Sequence, residues 1–217
     1  MVIQWYGQAC FKITSGELTI AIDPFDKQIG LTPPRFKSDL LLVTHSHPDH
    51  ANIETIQGEP FLINGPGEYD VKGVNIRGIE SFHDKQKGKE RGLNSIYIIE
   101  LEDITVCHLG DFGEGKLRSE LREQISQVDI LMVPVGGVYT LTAEEAAEVV
   151  SELEPKLVIP MHYHVQGLKL KLDPVEKFLE EMGAKKVEAE EKITIKKKGL
   201  EEGKTKIVVL KASSEKE

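Results

Sequence analysis

Apolar and polar positions along this chain follow two different rhythms. In the first half, short apolar runs are separated by turn residues. Ile3 to Tyr6, Cys10 to Thr14 and Leu18 to Ile22, with Gly7-Gln8 and Ser15-Gly16 between them, predict a meander of strands. Leu40 to Val43 is apolar throughout and predicts a strand buried on both faces. A short helix is expected from His50 to Ile56, ended by Gly58, and further strands at Phe61 to Asn64, Tyr69 to Val71, Val74 to Ser81, Ser95 to Leu101 and Ile104 to His108.

Beyond His108 the rhythm changes to strand and helix in alternation. Lys116 to Ile125 has helical spacing, Ile130 to Val135 and Leu157 to Met161 read as buried strands, and Thr142 to Leu153 predicts a helix opened by a Thr142/Glu145 capping box. Asp173, Pro174 and Glu176 mark another helix start, and Gly183 its end. Ile193 to Ile195 and Ile207 to Leu210 predict a terminal hairpin within about 192–211, followed by a disordered tail over 212–217. An antiparallel first half followed by strand-helix alternation predicts an α/β fold, a four-layer αββα sandwich of two mixed sheets with outer helices. A length of 217 residues suits one domain, 1–217.

The chemistry concentrates where the most apolar strand ends. Directly after Leu40 to Val43 come Thr44, His45, Ser46, His47, Pro48, Asp49 and His50, which hold three of the seven histidines. In an extended segment alternate side chains share a side, so His45 and His47 can chelate one ion. Pro48 favours an extended His47 and a turn after it, which sets Asp49 and His50 apart, within reach of a second ion. Two-metal hydrolytic sites space their ions roughly 3.5–4 Å apart. Other candidate ligands also stand at strand ends: His83 after Phe82, Asp111 after Gly110, and His162 after Met161. A carboxylate such as Asp111 can bridge two cations, which a single imidazole nitrogen cannot. Asp23-Pro24 is either a turn or a carboxylate that accepts an imidazole N–H. His164 reads as a proton donor to the leaving group or as a surface histidine, and His108 as a support behind the ligands or as a buried strand residue; neither is assigned a catalytic role. Val135-Gly136-Gly137 before the Thr142 helix reads as a turn or an anion cradle. Lys85, Lys87, Lys89 and Arg91 form either a solvated loop or a lid over a phosphate.

Composition narrows the partners. A formal net charge of −9 argues against a protein that coats nucleic acid, which needs clustered lysine and arginine. It leaves a small anionic substrate open. No apolar stretch is long enough to span a bilayer and no secretory signal is visible, so a cytoplasmic protein without a membrane partner is expected. Cys10 and Cys107 lie far apart in apolar segments and read as buried thiols.

The chain resembles the metallo-β-lactamase-fold hydrolases, whose HxHxDH signature is matched by His45, His47, Asp49 and His50. Later motifs of that family are matched by His83 after Ser81-Phe82, Asp111 after His108-Leu109-Gly110, and His162 between Met161 and Tyr163. The likeness runs from Trp5 to His164, and its IDPF (Ile22 to Phe25) and GPGEY (Gly65 to Tyr69) stretches resemble the compact branch that includes ascorbate phosphate lactonase-like proteins. The resemblance implies His45, His47 and His83 on one metal ion and Asp49, His50 and His162 on a second, with Asp111 bridging them. It implies two divalent ions, zinc above all, with manganese, iron or nickel compatible with the same donors. The expected activity is hydrolysis of a small anionic ester, phosphodiester or lactone by a metal-bridging hydroxide that Asp49, the catalytic residue, helps to orient. Alternatives are a nucleic-acid phosphodiesterase and a non-enzymatic metal-binding or sensor module. Many relatives carry histidine where this chain has Gln8, and the chain lacks the long insertion of the RNA-cleaving relatives.

Overall fold

The computed structural model describes residues 1–184, 186–201 and 203–213. The first sheet begins as expected, with β1 (Val2–Gly7), β2 (Cys10–Ser15) and β3 (Leu18–Ile22) in an antiparallel meander. β4 (Leu40–Leu42) and β5 (Phe61–Ile63) then extend it in parallel. The second sheet opens with antiparallel β6 (Gly67–Val71), β7 (Val74–Phe82), β8 (Leu93–Leu101) and β9 (Ile104–His108). β10 (Ile130–Pro134) and β11 (Leu157–Met161) continue it in parallel, after α1 (Ser119–Gln124) and α2 (Ala143–Leu153) respectively. α3 (Val175–Glu181) packs on α2, β12 (Ile193–Thr194) closes the first sheet and β13 (Lys206–Ile207) the second. Among the described residues the orders are β12-β1-β2-β3-β4-β5 and β13-β11-β10-β9-β8-β7-β6.

Strand alternation explains why these are two packed sheets. Ile3, Trp5, Phe11, Ile20, Leu40 and Leu42 from the first sheet share one core with Ile76, Ile98, Val106, Ile130 and Val158 from the second. The opposite face of the first sheet, with Tyr6, Cys10, Ala21 and Leu41, is covered by Phe25, Ile29, Phe36, Leu168 and Leu172. Both cysteines are buried free thiols, and burial pushes their pKa values up. The Thr142/Glu145 capping box is present.

Three expectations are corrected. The helix after His50 is a single 3-10 turn, Ile53–Thr55, because hydrogen bonds from His50 and Ala51 to the His47 carbonyl end in a turn that Asn52 anchors to Pro24. The helix expected from Lys116 to Ile125 is confined to α1. The terminal hairpin does not form: β12 pairs antiparallel with β1 and β13 parallel with β11, so the two segments close different sheets. Each caps an edge that would otherwise expose unpaired backbone, and buries Ile193, Ile195, Val208 and Leu210 in the shared core. Of the expected disordered tail, Ser213 donates its backbone N–H to Trp5 O, while 214–217 lie outside the described residues.

Asp129 joins the second sheet to its surroundings. Its buried carboxylate accepts from the Thr105 N–H (3.0 Å) and from Lys197 Nζ (2.8 Å), and faces Lys156 Nζ (3.1 Å). Burial pushes its pKa up, but Lys197, Thr105 and Lys156 outweigh this and hold it below the ordinary value. Replacing it (Asp129→Asn) should lower stability by about 1–3 kcal/mol, read by denaturant unfolding. Because the folded pKa is depressed, that stabilisation is present above the unfolded value near 4 and is lost as pH falls through the folded value. The difference between wild type and variant should therefore shrink on acidification; a gap that is constant with pH would contradict the assignment.

Candidate metal centre

Strand ends deliver the site. β3 stops at Ile22, just before Asp23, and β4 at Leu42, and the two ends are tied: Asp23 N–H donates to Leu42 O (3.0 Å), while Thr44 donates its N–H (2.8 Å) and Oγ1–H (2.7 Å) to the Asp23 carboxylate. Asp23 Oδ2 also lies 2.9 Å from His50 Nδ1, which points His50 Nε2 towards Asp49 and Asp111. Asp23 is thus the carboxylate that orients an imidazole. A parallel arrangement holds Asp111, whose N–H donates to Asn94 Oδ1 (2.9 Å), while Asn94 Nδ2 donates to Leu109 O (2.9 Å) and Ser81 Oγ (2.8 Å).

All seven candidate residues converge. His45, His47 and His83 form one group and Asp49, His50, Asp111 and His162 another; within each group the donor atoms lie within 4.8 Å of one another. Asp111 stands between them. Its Oδ2 is 3.1 Å from His83 Nε2 and 3.2 Å from His162 Nε2, and its Oδ1 is 3.2 Å from His50 Nε2. A cavity of about 320 Å³ adjoins the cluster, lined by His47, Asp49, His83 and His162 together with Arg91, Tyr139 and Leu170.

The donor set fits a metal. His45 Nε2 is buried without a hydrogen-bond partner among the described residues, and Asp111 Oδ1 and His50 Nε2, though 3.2 Å apart, do not meet in hydrogen-bond geometry. Each such atom costs about 1–3 kcal/mol, a cost that a cation coordinated by them would remove. Burial first, and the neighbouring His50 second, push His45 down to about 2, and burial and His83 lower His47, so both are neutral imidazoles ready to ligate. Burial raises the carboxyl pKa values of Asp49 and Asp111, but His50 beside Asp49, and His162 and His50 beside Asp111, outweigh it and keep both ionised. Burial lowers His50, yet Asp111, Asp49 and Asp23 raise it well above its ordinary value.

Other sequence candidates have different roles. His164 is exposed and does not line the cavity. His108 is buried, with Nε2 2.9 Å from Ala9 O and Nδ1 accepting from Gly110 N–H, so it braces the turn before Asp111. The glycines before α2 are no anion cradle: Gly137 N–H donates to Leu141 O, and the helix start is closed by its own capping box. Gly136 instead permits close approach, since a Cβ there would lie 2.1 Å from His162 O. The 84–92 loop is organised by the Asp84 carboxylate, which accepts from the N–H groups of Gln86, Gly88, Glu90 and Arg91. Sequence reasoning missed Thr44, Asn94 and Tyr139. A polar Asn94-Ser95 pair entering an apolar strand was the available signal for Asn94.

A family model for the beta-lactamase superfamily domain matches residues 2–162. The chain is 34% identical over 192 residues to a UPF0173 metal-dependent hydrolase from Pyrococcus horikoshii, covering 75% of this chain and 84% of that protein. The chain belongs to this hydrolase family of the beta-lactamase superfamily. A Pyrobaculum islandicum member is 31% identical over 210 residues, covering 80% of this chain and 88% of that protein. A Thermotoga maritima crystal structure, assigned to the Zn-dependent hydrolases of the metallo-beta-lactamase superfamily, superposes with a TM-score of 0.78 at 36% identity. That match covers 96% of this chain and 97% of that one. The two mixed sheets with their helices are the metallo-beta-lactamase sandwich. No helix among the described residues of this family member is long and apolar enough to cross a membrane.

Asp23 supplies the first test of this centre. Asp23→Asn retains the shape but removes the charge facing His50 Nδ1. It should weaken metal uptake by about 10–100-fold, measured by chelator competition, because outer carboxylates orient ligating imidazoles and raise their basicity. Unchanged affinity would show that Asp23 serves only the β3–β4 junction.

Proposed function

We propose that this protein is a dinuclear metal-dependent hydrolase of small anionic esters, phosphodiesters or lactones. The observation that carries this reading is the position of the Asp111 carboxylate, whose two oxygens face imidazoles of both ligand groups. His45, His47 and His83 would hold one ion, Asp49, His50 and His162 the other, and Asp111 both. Bound divalent ions, zinc foremost, supply a hydroxide nucleophile near neutral pH and polarise the bond under attack.

The chain's own residues do the rest. Asp49 lies at the cavity with its side chain 20% exposed, against 3% for Asp111, so it is the carboxylate that would orient the nucleophile. Arg91 lines the same cavity with its guanidinium 5.6 Å from the Tyr139 ring centroid, held there by the Asp84-organised loop. A planar cation braced on an aromatic face recognises carboxylate or phosphate oxygens in two directions at once. The cavity volume, about 320 Å³, suits a small molecule rather than a polymer. A cleft of similar size beside Glu68, Asp70, Arg77 and Glu100 lies away from the ligand groups and has no part in this reading.

Elemental analysis after reconstitution should find about two ions per wild-type chain and fewer in Asp111→Ala, with parallel loss of phosphodiester or lactone hydrolysis. A wild-type protein that takes up no metal would overturn the reading. Substituting Arg91→Gln should raise KM for anionic substrates by about tenfold or more, one lost charged contact, with little change in kcat. Equal losses for anionic and neutral substrates would remove Arg91 from substrate recognition.

A further inference from the structure

Gln8 touches the second ligand group without belonging to it. It is fully buried and sits in the left-handed region (φ 54°) at the turn between β1 and β2, where the pairing slips between Trp5 and Gly7. Such a conformation costs a residue of this type about 1 kcal/mol or more and persists only where the surroundings impose it. They do so here: Gln8 O accepts from Trp5 Nε1 (3.0 Å) and from the backbone N–H of His162 (2.9 Å), which locks the turn to the end of β11.

The carboxamide is thereby inserted among the donor atoms of the second group. Its Nε2 lies 2.9 Å from Asp49 Oδ2 and 2.8 Å from His162 Nε2, and its Oε1 is buried without a hydrogen-bond partner. These are the separations of neighbouring vertices in a coordination sphere, since two donors about 2.1 Å from an ion and at right angles are about 3 Å apart. A His162 Nε2 whose lone pair is committed to an ion has none left to accept an amide hydrogen. The two ends of a carboxamide are nearly the same shape, so a half-turn about Cγ–Cδ replaces Nε2 by Oε1 without moving the chain. The half-turn brings an acceptor towards the ion and gives the orphaned oxygen a partner, in exchange for the Nε2–H bond to Asp49 Oδ2.

We propose that Gln8 is a fifth protein ligand, through Oε1, of the ion held by Asp49, His50, Asp111 and His162; this rests on the dinuclear reading above. The two positions then differ in kind. One has three imidazoles and the Asp111 carboxylate, and suits zinc. The other has two imidazoles and three oxygens, from Gln8, Asp49 and Asp111, and suits a harder ion of higher coordination number such as manganese(II).

The competing role is a hydrogen-bond donor that merely steadies Asp49 and His162, and the two roles differ in sign for one substitution. Gln8→Leu removes the donor atom at similar size under either role. Gln8→Glu supplies a carboxylate ligand if Gln8 coordinates, but sets a repelling charge against Asp49 if it does not. Metal-free full-length wild type and both variants would be titrated with cobalt(II) and with manganese(II). The readouts are stoichiometry, second-ion affinity by chelator competition, and the cobalt ligand-field spectrum, with circular dichroism as a check of folding. The expected result is an unchanged first ion in both variants, a second ion weakened about 10–100-fold in Gln8→Leu with an altered cobalt spectrum, and affinity restored or tightened in Gln8→Glu. An unaltered second ion in Gln8→Leu, or one weakened by Gln8→Glu as well, would overturn the assignment. A wild-type protein that binds a first ion but no second would overturn the dinuclear reading itself, and the same titration separates that outcome from the others.

Discussion

A carboxylate placed between imidazoles in a water-poor pocket is the constraint on which this structure turns. Asp111 is 2% exposed, and burying an ionised carboxyl is costly unless charge and hydrogen bonds compensate it. His162 and His50 supply the charge and Asn94 the backbone anchor. The compensation is itself demanding, because His50 must then face Asp23, Asp49 and Asp111 together. A divalent cation coordinated by these groups would relieve the competition. Metal chemistry and fold stability thus make the same demand on these residues.

The sandwich meets that demand by bringing strand ends from both sheets to one place. Asp23 and Thr44 come from the first sheet; Asn94, Asp111 and His162 come from the second. The sheets are joined beside the site by polar contacts as well as by their shared core. Ser95 N–H donates to Thr44 O (2.9 Å), and Tyr97 OH donates to Val43 O (2.8 Å). Sliding one sheet over the other would break these bonds and separate Asp111 and His83, carried by the second sheet, from His45, His47 and His50, carried by the first, so register between sheets is register within the site.

Three of the ten described non-glycine residues with positive φ meet at this centre. Gln8, Asp23 and His162 all have positive φ, at 54°, 47° and 53°. Each is held by contacts from a different part of the chain: Gln8 by Trp5 and His162, Asp23 by Thr44 and His50, His162 by the Gln8 carbonyl. Positions of this kind survive where the surrounding structure over-determines them, and they confer fixed side-chain directions in return. For a site that must present several donors to one small volume, fixed direction is the useful property.

Local rules were enough to read most strands, the capping box at Thr142, the buried cysteines and the ligand candidates. Apolar periodicity, turn residues and donor chemistry act over a few positions, so the sequence by itself determined where strands end and that histidine and aspartate stand there. It also determined, through the spacing of His45, His47, Asp49 and His50, that one segment can serve two groups. What depends on distant partners was not legible. The segments read as a terminal hairpin were claimed by open edges of two different sheets, because edge pairing and core burial outweighed a local turn. Thr44 gave no local signal, and the polar Asn94-Ser95 pair showed only that something at the start of that strand needed a polar partner, since an asparagine in a strand becomes a support for Asp111 only when β8 and β9 lie side by side. Gln8 was visible merely as a departure from a pattern. Only the tertiary structure decided that its carboxamide lies 2.8 Å from His162, a residue 154 positions away, because the backbone hydrogen bond between them exists only once β1 and β11 are placed.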